Sequence, residues 1–122
     1  KMFEGLIEFI EETIFTKIIN KEIPADIIYE DELALVFKDI QPQAPTHLLI
    51  IPKKAIPKLS DATPEDQELL GHLMLVAGEV SRMLELDDTF RLVTNNGANA
   101  GQSVFHLHLH LLSGRSLTWP PG

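Results

Sequence analysis

The sequence predicts an α+β fold: a five-stranded antiparallel sheet with one long helix on a face of it and short helices at its N-terminal end. Three observations carry that reading. Short β-prone runs recur at Ile27–Tyr29, Leu33–Phe37, His47–Ile51, Phe90–Thr94 and His106–Leu112. One long amphipathic stretch, Pro64–Leu86, separates the third run from the fourth. Only Glu30-Asp31-Glu32 stands between the first two runs, a hairpin turn. No internal repeat or linker divides the chain, and 122 residues suffice for one compact domain.

Phe3, Leu6, Ile7, Ile10 and Ile14 repeat at helical spacing, with Glu4, Glu8, Glu11 and Glu12 on the other face. This predicts an amphipathic helix over Met2–Thr13. Residues 1–12 are read as an extension that docks on the main domain, 13–122, or on a partner. An acidic polar face argues against a membrane role. Ile14–Lys21 is a second short helical segment, which Pro24 closes. After the hairpin, Asp39–Thr46 holds two prolines and two glutamines and reads as a loop. The apolar run His47–Ile51 suits a central strand buried on both faces. A basic connection with Lys53, Lys54 and Lys58 leads to Thr63, a good N-cap. Pro64 then suits the first helical position, and Glu65 and Asp66 suit the positive end of the dipole. Leu69, Leu70, Leu73, Met74, Ala77, Val80 and Leu84 trace one face of a helix about 35 Å long at roughly 1.5 Å per residue. Asp87-Asp88 breaks it. Two strands follow, joined by a polar loop, and the tail ends Trp119-Pro120-Pro121-Gly122.

Composition removes several function classes. The formal charge of −8 argues against a general nucleic-acid surface, though a small anion can still be held by local donors. There is no cysteine, hence no disulfide, no thiolate nucleophile and no Cys-based metal site, which fits an intracellular compartment. No apolar run approaches the roughly 20 residues of a membrane span. Lys1–Thr16 carries four glutamates where a leader would be positive, so no signal peptide is expected.

The chemistry concentrates in Ser103–Leu112. Three of the five histidines lie here, two residues apart. In an extended strand His106, His108 and His110 share one face, and Leu107, Leu109 and Leu111 share the other. Neutral imidazole is both a nucleophile and a proton carrier near neutral pH. A row of three offers an attacker, an orienting neighbour and a proton donor. Upstream, Asn95, Ser103 and the Gly101-Gln102-Ser103 backbone offer donors to a phosphoryl oxygen. His47, on another strand, is a natural orienting partner. A metal site competes, because His-x-His is a common ligand spacing, but no carboxylate lies near in sequence. His72, mid-helix, reads as structural or surface, and Asn99 as a turn residue. Trp119 either packs the tail or contacts a neighbouring subunit's site.

Five stretches together resemble the histidine triad superfamily, and its Hint branch (the histidine triad nucleotide-binding proteins) more closely. They are Thr13–Asp31, Phe37–Lys54, Leu69–Met74, Gly101–Leu112 with its His-φ-His-φ-His-φ-φ pattern, and the terminal Trp-Pro-Pro-Gly. The resemblance implies a homodimer whose two sheets join into one, binding of purine nucleoside monophosphates, and hydrolysis of phosphoramidates such as AMP joined through nitrogen to an amine or lysine. It implies that His108 attacks the α-phosphorus to give a nucleotidyl-histidine, and that His110 contacts the phosphate and helps protonate the leaving amine. His106 and His47 would orient His108. Asn95, Gly101, Gln102, Ser103 and Val104 match nucleotide-binding positions on the phosphate side; Phe37, Asp39 and Ile40 match the nucleoside pocket. Trp119 matches a residue that reaches the partner's site. A cytoplasmic location, extending to the nucleus, is implied as well. The alternatives are a dinucleoside polyphosphate hydrolase and a nucleotide-binding scaffold. Many superfamily members hold zinc through a Cys-x-x-Cys, where this chain has Thr13 and Thr16, so no metal and no cofactor are expected.

Overall fold

The computed structural model describes residues 12–122. The helix expected over Met2–Thr13, and with it the extension 1–12, lies outside the described residues but for its last positions. The first described element is α1, Ile14–Ile19. Thr13 caps it by accepting from the Phe15 N–H at 3.1 Å, and Thr16 Oγ accepts from the Thr13 N–H at 3.2 Å.

Five strands follow: β1 (Ile27–Glu30), β2 (Ala34–Lys38), β3 (Thr46–Pro52), β4 (Arg91–Val93) and β5 (Leu109–Ser113). They form one antiparallel sheet in the order β1-β2-β3-β5-β4. The β1–β2 turn closes because Asp31 Oδ1 accepts from the N–H groups of both Leu33 and Ala34, each at 2.8 Å. The apolar runs of β2 and β3 pair from Ala34↔Pro52 to Lys38↔Leu48. Then β5 lies against β3, with His47 opposite Leu112 and Leu49 opposite His110.

Period-2 alternation divides the sheet between two cores. Ala34, Val36, Leu48, Ile50, Leu107, Leu109 and Leu111 bury against Leu73, Val76, Ala77 and Val80 of the long helix α2, Gln67–Met83. Leu35, Phe37, Leu49 and Ile51 face the other way and bury against Phe15 and Ile18 of α1. The sheet thus lies between two helices, and the α1 face is the one left partly open.

Three boundaries differ from expectation by three residues, the others by two at most. The long helix begins as a 3-10 turn, Pro64–Asp66, in which the buried Asp66 accepts from the Thr63 N–H at 2.9 Å. Its α-helical part spans 17 residues, about 25 Å rather than 35. It stops at Met83 because Glu85, Asp87 and Asp88 take left-handed backbone, with φ of 55°, 55° and 53°. The last strand begins at Leu109, not His106. Residues before it bond to a loop instead of a strand: the Leu107 N–H donates to the Ile56 carbonyl at 2.6 Å. No helix among the described residues is long and apolar enough to cross a membrane.

Candidate active site

On the α1 face lies a cleft of about 410 Å³, a size that takes a small molecule. Ile14, Phe15 and Ile18 of α1 form one wall, with Phe37 and Leu49 of the sheet below. Asp39, Ser103, His108 and His110 line its polar side. The α1 residues carried no functional signal in the sequence: their apolar stripe read as packing, and only the strand order brings that stripe over the histidines.

His108 is nearly buried, 6% exposed, and its Nδ1 lies 2.8 Å from the His106 carbonyl oxygen. A carbonyl only accepts, so Nδ1 carries the proton and the neutral ring leaves Nε2 as a bare lone pair. No described residue hydrogen-bonds to that nitrogen, and His108 lines the cleft. Phe15 meets the His108 ring at 5.1 Å and 89°, an edge-to-face contact that limits its rotation. His106 is 1% exposed and donates from Nε2 to the Pro52 carbonyl at 2.7 Å. Its Nδ1 has no partner among the described residues, and burial pushes its pKa down. It therefore acts on His108 through its main-chain carbonyl.

The other two histidines are ordered by a donor at the far end. The Gln43 N–H donates to His47 Nδ1 at 3.0 Å. His47 must then carry its proton on Nε2, which points at His110 Nδ1, 2.9 Å away. His110 is left with a bare Nδ1 and a proton on Nε2. Burial, aided by the neighbouring His108 and His47, lowers the His110 pKa from 6.5 to about 4, against the opposing pull of Asp39. Burial also lowers that of His47, again opposed by Asp39. Two adjacent rings, with centroids 5.1 Å apart, thus stand in opposite states: His108 with a bare Nε2, His110 with Nε2–H. The resemblance pairs His47 with His108; the hydrogen bond in the structure is to His110.

The remaining expected residues divide. Phe37, Asp39, Ile40, Ser103 and Val104 line the cleft with His108 and His110, Ile40 at its open rim. Asn95, Gly101 and Gln102 do not. Gly101 and Gln102 give their N–H groups to Ala98 and Gly97 within a turn. The buried Gln102 side chain binds the Pro57 and Val104 carbonyls and the Gly97 N–H. The Asn95 side chain lies against Gly101, whose φ of 103° needs a glycine. Trp119 is 82% exposed, on a tail that Arg91 holds through the Leu117 and Thr118 carbonyls. His72 lies outside the cleft, 2.6 Å from Asp31 on the β1–β2 turn.

Asp39 brings a carboxylate to the histidines through space, 3.4 Å from His47 Nε2, although none is near in sequence. One ligand atom each from Asp39, His47 and His110 lies within 4.8 Å of the others. The set does not fit a resident metal. The bond between His47 Nε2–H and His110 Nδ1 occupies both nitrogens, so neither has a lone pair for an ion. Thr13 and Thr16, which the resemblance aligns with the cysteines of many superfamily members, spend their hydroxyls on capping α1.

A family model described as HIT domain matches residues 20–117. An uncharacterized HIT-like protein of Synechocystis sp. is 65% identical over 92% of this chain and 98% of its own. A 14 kDa zinc-binding protein of Zea mays is 52% identical over 90% and 88%. Among solved structures, a HIT family hydrolase from Legionella pneumophila superposes with a TM-score of 0.88 at 48% identity, covering 91% of this chain and all of that one. A histidine triad nucleotide-binding protein from Candida albicans gives 0.77 at 34% identity over 89% and 83%.

Proposed function

The chain belongs to the HIT family, and from that premise we propose that it is a nucleotide hydrolase of the Hint branch, a purine nucleoside phosphoramidase that cleaves the P–N bond of AMP-amine or AMP-lysine substrates. The observation that carries the reading is the pair of imidazoles just described: a bare Nε2 on His108 beside an Nε2–H on His110, both on one cleft. The apolar wall of Ile14, Phe15, Ile18 and Phe37 suits a purine, and Asp39 suits a ribose hydroxyl. Ser103 and Val104 stand at the phosphate end. Their backbone N–H groups have no partner among the described residues and, with the Ser103 hydroxyl, supply donors to an anion.

In the first step His108 Nε2 bonds to the α-phosphorus and the P–N bond breaks. The amine leaves with a proton drawn from solvent by way of His110. The positive charge gained by the His108 ring is held by the His106 carbonyl at Nδ1–H. Water then attacks the same phosphorus, the Nε2–P bond breaks, and the proton that water releases returns to solvent. His110 Nε2–H steadies the phosphoryl oxygens in both steps. The protein acts as a homodimer in the cytoplasm and nucleus, with Trp119, exposed on its tail, meeting the partner's cleft.

The test is a panel of adenosine and guanosine phosphoramidates against dinucleoside polyphosphates, with and without chelator, on the wild type and His108→Ala. Phosphoramidates should turn over fastest, unaffected by chelator. His108→Ala should lose almost all turnover and still bind AMP. Faster cleavage of the dinucleotides would move the protein to another branch, and surviving turnover would remove the nucleophile assignment.

A further inference from the structure

We propose that Arg115 is a positioning residue for the reaction: it fixes Gln43, and through the Gln43 N–H it sets which nitrogen of His47, and so of His110, carries the proton. Arg115 Nε–H donates to the Gln43 carbonyl at 2.8 Å, and its Nη1 is tied to the Ser116 carbonyl at 2.9 Å. Gly114, one residue earlier, presses on the same loop: a Cβ there would stand 2.8 Å from Pro45 Cβ. Both residues directly follow β5, the strand that carries His110. One end of β5 thus presents His110 to the cleft, and its continuation holds the loop that orders His110's partner.

The force of the Gln43 N–H is that it cannot change role. Backbone amide does not titrate, so it always donates. An extra proton on His110 Nδ1 would face His47 Nε2–H. His47 could yield only by moving its proton to Nδ1, where it would face the Gln43 N–H. Either arrangement sets two N–H groups against each other. The other groups facing His110 do not impose this order: His108 is pinned by the His106 carbonyl, Asp39 attracts a proton, and the cross-strand neighbours Leu49 and Val93 are apolar. Where the loop is loosened, water replaces the amide. Water can accept as well as donate, and the constraint is gone.

The proposal depends on the phosphoramidase reading only for its kinetic meaning, since proton positions can be read without substrate. The experiment records long-range proton–nitrogen NMR correlations of the imidazoles through an acid titration, for wild type, Arg115→Ala and Arg115→Lys. Wild type should show bare Nδ1 and protonated Nε2 on both His47 and His110. Arg115→Ala should average the two nitrogens of each and raise the His110 titration from about 4 towards 6.5, while the His108 pattern stays as it was. Arg115→Lys, with a donor for the same carbonyl, should restore much of the wild-type pattern. If the alanine variant does not fold, Arg115→Met, which keeps the aliphatic stem and has no donor, takes its place with the same expected result. Wild-type patterns and titration in Arg115→Ala, or in Arg115→Met where it takes its place, overturn the proposal. So would equal disturbance of His108, which would make Arg115 a general support.

Discussion

The low pKa of His110 is a statement about stability as well as chemistry. Its ordinary value is 6.5 and burial, with the neighbouring histidines, takes it to about 4. Between those values the unfolded chain binds a proton that the folded protein refuses, so folding stability is full above 6.5 and falls as the pH drops through the window. At about 1.4 kcal/mol per unit, the difference amounts to roughly 3 kcal/mol. That is a large part of the roughly 5–15 kcal/mol typical of a domain. His106 and His47 are shifted the same way and add to the slope. His110→Asn removes the titrating group and keeps an acceptor for His47 Nε2–H. Urea unfolding of both proteins, at constant ionic strength from neutral pH down to about 4, gives the two slopes. The variant should lose less stability across the window, by up to the equivalent of one proton, with unchanged m-values. Equal slopes would mean that His110 is not held neutral by the fold, and the tautomer assignment of the whole His47–His110 pair would fall with it.

Asp31 gives a second pH signature of opposite sign. Burial raises its pKa, but hydrogen bonds from Tyr29, Leu33, His72 and Ala34 outweigh this and hold it at about 2. Its contribution is present above the ordinary 3.8 and is lost as pH falls towards 2, so Asp31→Asn should cost roughly 2 kcal/mol at neutral pH, read by urea unfolding. A change of only a few tenths would show that the turn does not need the charge. Ser103→Ala should reduce kcat more than it weakens AMP binding by calorimetry; unchanged turnover would show that Ser103 is not aimed at the reacting group. Removal of the tail from Trp119 onward should alter leaving-group preference across an amine series. An unchanged profile would leave Trp119 with packing alone.

The fold was legible where local chemistry decides it. Thr63, Pro64 and Asp66 start the long helix by capping and dipole rules that need only neighbours in sequence. Its end was not legible, because Leu84 and Leu86 continue the apolar pattern while the backbone at Glu85 turns left-handed. The last strand shows the same division. Alternation put Leu107, Leu109 and Leu111 together on one face, and in the structure that face is buried against α2, because alternation reports which side chains are buried. It could not give the strand's extent, because a ladder depends on what backbone lies alongside. At Leu107 that is the Ile56 carbonyl of a loop.

The site divides in the same manner. That three imidazoles share a face follows from spacing, but which of them His47 meets is a question of register. In the observed pairing Leu49 lies opposite His110 and His47 opposite Leu112, so His47 and His110 are diagonal neighbours on one face of the sheet. His108 stands one pair further along. A register two residues different would keep every side chain on the same face and bury the same residues, yet it would set His47 directly across from His110 and make His108 its diagonal neighbour. Hydrophobic pattern cannot distinguish the two. What does so is a contact at the strand ends: Gly114, just after β5, fits against Pro45, just before β3, only because it lacks a side chain. The proton order of His47 and His110 therefore rests on contacts of Gln43, Pro45 and Gly114, residues with no role legible in the sequence, while that of His108 rests on the His106 carbonyl.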